Sequence, residues 1–180
     1  MSPLAWVLLG VVVALLLGAW LFWTASRLDQ MQHRLDVARE SLRTQLALRS
    51  GAALELGSAG VLDPARSLLL VDAAHRARAA TPDSFEEAES DLSETLRAVF
   101  ADREETARMQ ADPRVSELLR ELAGACRKVE LARRFHNDHL TSVRALRSRR
   151  RVRWLRLAGR SSAPSTVDLD DEAPAVFAPD

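Results

Sequence analysis

The stretch "DPRVSELLRELAGACRKVELARRFHND", residues 112–138, carries the clearest helical pattern of the chain. Apolar or small residues recur along it every three or four positions, which places them on one side of a helix. Asp112 and Pro113 suit a helix start, and Gly159 suits an end. The pattern therefore predicts one long helix of about 47 residues, roughly 70 Å. Its stripe comprises Val115, Leu118, Leu122, Ala125, Val129, Ala132, His136, Val143 and Leu146.

Upstream of this helix, the same spacing predicts a first helix with a heptad-like seam. We expect this helix to follow the apolar N-terminal residues without a break and to end near Gly57 and Gly60. The seam can pack within one chain or pair two chains, so both a monomer and a homo-oligomer stay open. Its residues are Leu28, Met31, Leu35, Ala38 and Leu42, continued by Leu46, Ala53 and Leu56.

Two shorter helices are predicted between these long ones. Asp63 and Pro64 provide a start signal for a second helix over Leu68–Ala80. Asp83 and Ser84 precede a third helix. We expect this helix to run unbroken for about 40 Å, at 1.5 Å of rise per residue. The apolar stripe of this third helix is Phe85, Ala88, Leu92, Leu96, Val99 and Phe100.

The predicted fold class is all-α, because no stretch of useful length alternates with the period of two that a strand requires. We expect an N-terminal transmembrane helix that continues into an antiparallel up-down bundle of about four long helices. The residues after Ser161 contain three prolines and five acids without a base, a composition typical of disorder. The predicted domains are an anchor (1–25), a helical bundle (26–160) and a disordered acidic tail (161–180).

The prediction of an anchor rests on Leu4–Thr24, "LAWVLLGVVVALLLGAWLFWT", which carries no charge. These residues make a helix of roughly 30 Å, the thickness of the hydrocarbon core. Trp6 lies near one end and Trp20 and Trp23 near the other, as expected for interfacial tryptophans. A buried soluble helix and a cleaved signal peptide are the alternatives. A signal peptide is disfavoured because the run is too long and has bulky residues where cleavage needs small ones.

Flanking charge predicts the orientation of this anchor. No lysine or arginine precedes the span, whereas Arg27, Arg34, Arg39 and Arg43 follow it. The positive-inside rule then places the N-terminus outside and the bulk of the chain in the cytoplasm. The predicted location is the cell membrane, crossed once.

The chain has no net charge, yet eight arginines fall within Arg144–Arg160 without an acid among them. The lengths of an up-down bundle return this end of the last helix to the membrane surface. We therefore expect it to dock on anionic inner-leaflet lipids. The alternatives are a solvated basic end neutralised by acidic parts of the chain, and a less favoured nucleic-acid tether without a recognised reading motif. The predicted lipid-facing residues are Arg149, Arg150, Arg151, Arg153, Trp154, Arg156 and Arg160.

The candidates for chemistry are few. His136 and His139 lie three residues apart on the long helix, but zinc needs three or four ligands, and His136 belongs to the apolar stripe. We therefore favour a buried, hydrogen-bonded His136 and keep a metal-binding or hydrolytic module as the alternative. Cys126 lies ten residues from His136, too far for that base to activate its thiol. The sequence predicts no catalytic residue, no cofactor and no metal site.

Two short motifs give the chain a family resemblance. "ARRFHN" contains Ala132, Arg133 and Asn137, and "QLALR" contains Gln45, Leu46 and Arg49. These residues resemble the A-R-x-x-Y-N signature and the Q-L-x-x-R stretch of LemA-family proteins. Three departures accompany the match. His136 stands in the place of the signature tyrosine, Cys126 in the place of an acid, and Ala52–Gly57 lacks the family's "LIPNLV"-like segment.

The resemblance implies an N-terminal membrane helix followed by a cytoplasmic antiparallel helical bundle. It implies no general enzymatic activity. Arg133, His136 and Asn137 are the polar residues of the family motif. From the residues themselves, we expect Arg133, Asn137 and Glu130 to form a polar cluster that fixes helix register. The function predicted from the sequence is a non-enzymatic scaffold that recruits unidentified proteins at the inner face of the membrane.

Overall fold

The computed structural model describes residues 3–147 and 166–177. Within these ranges every regular element is a helix and no strand occurs, so the predicted all-α class is confirmed. The first helix runs without a break from the N-terminal apolar residues to Ser58, as predicted. The elements are α1 (Pro3–Ser58), α2 (Pro64–Ala79), α3 (Phe85–Val99), α4 (Arg103–Gln110), α5 (Pro113–Arg147) and a 3₁₀ turn (Ala175–Phe177).

Aspartate side chains cap the starts of α2 and α5. The Asp63 carboxylate accepts hydrogen bonds from the backbone N–H groups of Ala65 and Arg66, which α2 cannot satisfy internally. Asp112 accepts one from the Arg114 N–H at the start of α5. Both starts agree with the sequence prediction.

The prediction of a single long third helix is wrong. The helix ends at Val99, and α4 begins at Arg103. Asp102 causes the restart, because its carboxylate accepts hydrogen bonds from the Glu104 and Glu105 N–H groups. An aspartate in extended conformation therefore interrupts a stretch whose apolar spacing alone favours continuation.

The chain divides into two compact units, Met1–Val37 with His139–Pro164, and Ala38–Asp138 with Ser165–Asp180. In the first unit, Leu35 and Leu140 form a small buried cluster. We call the second the bundle unit, because it holds the main hydrophobic core. Its leucines contribute about 1.5–3 kcal/mol each on burial. The most completely buried leucines of this core are Leu56, Leu70, Leu92, Leu96 and Leu122.

Helices α2 and α3 lie antiparallel in the bundle unit. Arg76 near the end of α2 pairs with Asp91 of α3 at 3.0 Å, and Arg66 near the start of α2 pairs with Glu105 beyond α3. The apolar stripes predicted for α3 and α5 face the core, with Leu92, Leu96 and Val129 almost fully buried. The sequence pattern therefore identified these packing faces correctly, while the side chains of Val143 and Leu146 on the α5 stripe lie outside the described residues.

Residues 166–177, which we call the acidic segment, are ordered against the bundle unit. Leu169 and Phe177 are buried, only 4% and 6% exposed. The prediction of disorder is therefore wrong for these residues. Composition favours disorder here because the stretch has acids and no bases of its own. In the structure, however, Asp170 and Asp171 pair with arginines of the bundle.

Among the described residues, no helix combines the length and the apolar character needed to cross a bilayer. The membrane span over Leu4–Thr24 therefore has no support from the described helices and stays a prediction. The same holds for the domain boundaries at residues 25 and 160.

Candidate functional site

Arg49 on α1 lies at the centre of a polar network in the bundle unit. Its side chain is 1% exposed, which is unusual for a charged group. Its Nη2 donates to the Glu89 carboxylate at 2.7 Å and to the Glu89 carbonyl at 3.0 Å, and its Nη1 donates to Ser93 Oγ at 2.8 Å. The guanidinium thus fixes α1 to two successive turns of α3.

Glu89 is the anionic partner in this network and is also buried. Burial raises the pKa of Glu89 above its ordinary value, and the charge and hydrogen bond of Arg49 oppose that rise. Burying an ionised carboxylate carries an electrostatic cost, which the Arg49 contact offsets in part. The pair therefore makes the α1–α3 packing sensitive to the loss of either partner.

Ser93 links the buried pair to the acidic segment. Its hydroxyl accepts from Arg49 and lies 2.7 Å from the Asp170 carbonyl, to which it donates. The Asp170 N–H in turn donates to Ser90 Oγ at 3.0 Å. One turn of α3 therefore satisfies both backbone polar groups of Asp170.

Arg133 on α5 holds the acidic segment by a two-pronged ion pair. Its Nε and Nη2 donate to the two carboxylate oxygens of Asp171 at 2.6 and 2.8 Å. The pair is mostly buried, since the Asp171 side chain is 10% exposed. Such a planar, doubly hydrogen-bonded pair is selective for a carboxylate at this position.

Asn137, one turn further along α5, binds the backbone of the same segment. Its amide nitrogen donates to the Val167 carbonyl at 3.2 Å, and its amide oxygen accepts from the Val167 N–H at 3.3 Å. The predicted role of Arg133 and Asn137 in fixing helix register therefore needs correction. Both side chains hold the acidic segment, while Glu130, also proposed for that cluster, pairs with Arg134 on α5 itself.

Arg97 at the end of α3 completes the contacts to the acidic segment. It donates to the Asp170 carboxylate at 2.5 Å and to the Glu172 carbonyl at 2.9 Å. The hydrogen bond from Arg97 lowers the pKa of Asp170, despite the opposing effect of burial. Asp170 therefore stays ionised well below neutral pH, and the contact weakens only in acid.

His136 is buried, as the apolar stripe predicts, with 3% of its surface exposed. His139 is half-buried on the same helix. Within residues 3–147 and 166–177, no group of three or more histidine, cysteine or acidic side chains is arranged to hold a metal ion. The metal-binding alternative is therefore supported only by the spacing of His136 and His139 in the sequence.

The predicted lipid-facing residues lie outside the described part of the chain. Arg149, Arg150, Arg151, Arg153, Trp154, Arg156 and Arg160 all fall within residues 148–165. Their docking on lipid therefore stays a prediction.

Cys126 is buried in the main core, 2% exposed. Burial raises the pKa of its thiol, only partly opposed by the charges of Arg49 and Arg127. We expect iodoacetamide to alkylate native Cys126 at least about 100-fold more slowly than the denatured chain at the same pH, because attack needs an exposed thiolate. Mass spectrometry of the modified fraction over time measures both rates. Equal rates would show that Cys126 is accessible in the native chain.

Sequence reasoning missed the α3 side of this site. Glu86, Ser90, Ser93 and Arg97 recur at intervals of four, three and four residues, so they share one helix face. A polar stripe beside an apolar one was available as a signal. Such a stripe is typical of a solvated face, however, and its partner lies more than 70 residues away in the sequence.

The site holds an extended stretch of this same chain. Arginine, asparagine and serine side chains of α3 and α5 bind backbone groups and carboxylates of an extended stretch. Two of its central residues, Arg49 and Arg133, belong to the two motifs that gave the family resemblance. The two motifs and the network therefore coincide.

Comparisons with known proteins agree with the motifs and the helical fold. No curated protein and no solved structure matches the chain significantly. The model of the LemA family matches residues 40–149, which include α2, α3, α4 and both motifs. This match covers more than half of the sequence, so the chain belongs to the LemA family.

Proposed function

We propose that this protein is a non-enzymatic, single-pass membrane protein whose helical bundle recruits partner proteins at the inner face of the membrane. The observation that carries the proposal is the exposure of α1 over residues 6–20, where every residue is exposed and none is charged. An uncharged helix that is apolar on all sides is not stable in water. Insertion into lipid removes that surface from water.

The form of α1 supports this role. The helix is 56 residues long and passes from the apolar end into the buried seam without an interruption. Leu42 and Leu46, further along this helix, lie in a core cluster with Val129 of α5. The same helix therefore contributes both the proposed anchor and part of the bundle core.

The orientation of the proposed anchor follows from the arginines after it. Arg34, Arg39 and Arg43 lie on the bundle side and no base lies on the other, so the bundle faces the cytoplasm. The basic stretch Arg144–Arg160 then meets anionic lipid headgroups, which attract each arginine by about 1 kcal/mol. The metal-binding and nucleic-acid alternatives stay untested.

The first test places two charged residues in the proposed anchor. A double variant with Val12→Arg and Leu16→Arg should leave the membrane fraction after alkaline extraction, because each central arginine costs about 2.5–3.5 kcal/mol on insertion. The matched control, Leu48→Arg with Leu131→Arg, changes two exposed bundle leucines and should stay in the membrane. A biotin ligase fused to Asp180 reports the side, since it labels neighbours only where ATP is present. Membrane retention of the first variant would overturn the anchor.

The second test isolates lipid docking by using the anchor-deficient variant. This variant should co-sediment with anionic vesicles and not with neutral ones. Replacing Arg150, Arg151, Arg153 and Trp154 with alanine should reduce the partitioning about 100-fold, from three arginines at about 1 kcal/mol each. Unchanged sedimentation would remove the docking hypothesis. Binding to DNA in place of vesicles would favour the nucleic-acid tether.

A further inference from the structure

The acidic segment lies on the bundle unit as an extended peptide. Residues 166–174 have no helix or strand, and only Ala175–Phe177 forms a short turn. Side chains of the bundle satisfy its backbone, beginning with the paired hydrogen bonds between Asn137 and Val167. An amide that binds both backbone groups of one residue holds a peptide without regard to its side chain.

Helix α3 supplies a row of further backbone contacts. Glu86 accepts from the Asp168 N–H at 3.2 Å, and the hydroxyls of Ser90 and Ser93 bind the N–H and carbonyl of Asp170. Arg127 of α5 donates to the Phe177 carbonyl at 3.2 Å. These contacts resemble recognition of an extended ligand, in which the backbone gives affinity and pockets give specificity.

Three side chains of the segment occupy specific sites. Leu169 enters a buried cluster with Leu42, Leu46 and Val129. Asp171 meets Arg133, and Phe177 packs against Phe100 with ring centroids 5.3 Å apart. The sites therefore select an apolar residue, then a carboxylate two positions later, then an aromatic residue six positions beyond that.

Charge adds to this selectivity. The acidic segment carries Asp168, Asp170, Asp171 and Glu172 and no base. The surface beneath it presents Arg97, Arg127 and Arg133. We call the surface of α1, α3, Phe100 and α5 that contacts residues 166–177 the segment groove. An acidic, extended chain is complementary to it in charge, shape and hydrogen bonding.

We propose that the segment groove is a binding site for an extended acidic peptide of a partner protein, and that residues 166–177 occupy it as an intramolecular competitor. The inference rests on the proposed recruitment function and names its binding surface and its regulation. A tethered competitor acts at an effective concentration of about a millimolar, so a partner binds weakly until the segment is displaced.

The test uses the full chain in mild detergent, with a specific protease site inserted between Ser161 and Ser165. The probe is a fluorescent peptide with the sequence of residues 166–177, followed by anisotropy. The uncleaved chain should bind it weakly. After cleavage and dilution to micromolar concentration, the original segment exchanges with the probe, and apparent affinity should rise at least about tenfold.

Matched variants identify the groove as the place of binding. Arg133→Ala should weaken probe binding to the cleaved chain at least about tenfold, since it removes a buried two-pronged ion pair. Arg134→Ala changes the neighbouring exposed arginine, which pairs with Glu130, and should leave binding unchanged. A probe with asparagine in place of Asp171 should bind as weakly as wild-type probe binds the Arg133 variant.

Three results would overturn the proposal. Unfolding on cleavage would make the acidic segment an essential part of the fold. Equal probe binding before and after cleavage would place the probe outside the groove. Light scattering that shows a dimer with exchanged segments would replace intramolecular competition by pairing of two copies. None of these readouts depends on membrane association, so this inference and the anchor can fail separately.

Discussion

Replacing Arg49 with methionine should lower the free energy of unfolding by about 3–5 kcal/mol, because it leaves the buried Glu89 carboxylate without its cation. Methionine fills similar space, so the loss reports charge rather than a cavity. The variant should melt well below the wild-type chain in the same detergent, as followed by helical circular dichroism. The matched control is Arg43→Met, an exposed arginine on the same helix, which should change stability by less than about 0.5 kcal/mol.

The same substitution predicts a pH dependence. Burial already raises the pKa of Glu89 above its ordinary value of 4.5, and Arg49 opposes this, so losing Arg49 raises the pKa further. A carboxyl group that binds its proton more tightly in the folded chain loses stability as pH rises from its unfolded pKa through its folded one. The deficit of the Arg49→Met variant should therefore be small near pH 4.5 and grow toward pH 8.

A double variant separates the charge from the packing. Arg49→Met combined with Glu89→Leu removes both charges, and should recover most of the stability lost in the single variant. The hydrogen bond from Ser93 to the Asp170 carbonyl does not involve either side chain and should persist. A double variant no more stable than Arg49→Met alone would show that Arg49 acts through its size or through Ser93.

The hydrophobic pattern predicted the helices and their packing faces because a 3.6-residue period records which side is buried. The seam residues Leu42, Leu46 and Leu56 are among the most completely buried in the chain. The break between α3 and α4 escaped prediction because Phe100 continues the apolar spacing. The Asp102 cap sets the position of the break, because one capping side chain can start a new helix even where the apolar spacing continues.

The sequence predicted some residues of the candidate site but not their binding partners. The family motifs identified Arg49, Arg133 and Asn137 as important, and all three make specific contacts in the network. Their partners could not be inferred, because the acidic segment has the composition of a disordered tail. Its order comes from long-range pairing, of Asp171 with Arg133 and of Phe177 with Phe100, which no local pattern encodes.

Replacing Phe177 with alanine should detach the acidic segment. Truncating a buried phenylalanine costs about 3–5 kcal/mol, and Phe177 is 6% exposed against Phe100. At 1.36 kcal/mol per tenfold change, protection of the segment against hydrogen exchange should fall by roughly 10²- to 5 × 10³-fold. The N–H groups of Val167 and Asp170, which donate to Asn137 and Ser90, are the ones to follow.

The bundle should respond much less than the segment, and this difference tests whether the segment opens on its own. If the segment opens on its own, the bundle loses at most the free energy that docking contributes to it, so amides in the middle of α2 and α3 should lose much less protection than those of the segment. Phe135→Ala is the matched control, an exposed phenylalanine on α5 that should alter neither region. A uniform loss of protection through α2, α3 and the segment would mean that Phe177 belongs to one cooperative core. The segment groove would then open only by global unfolding, which a competing partner peptide could not exploit.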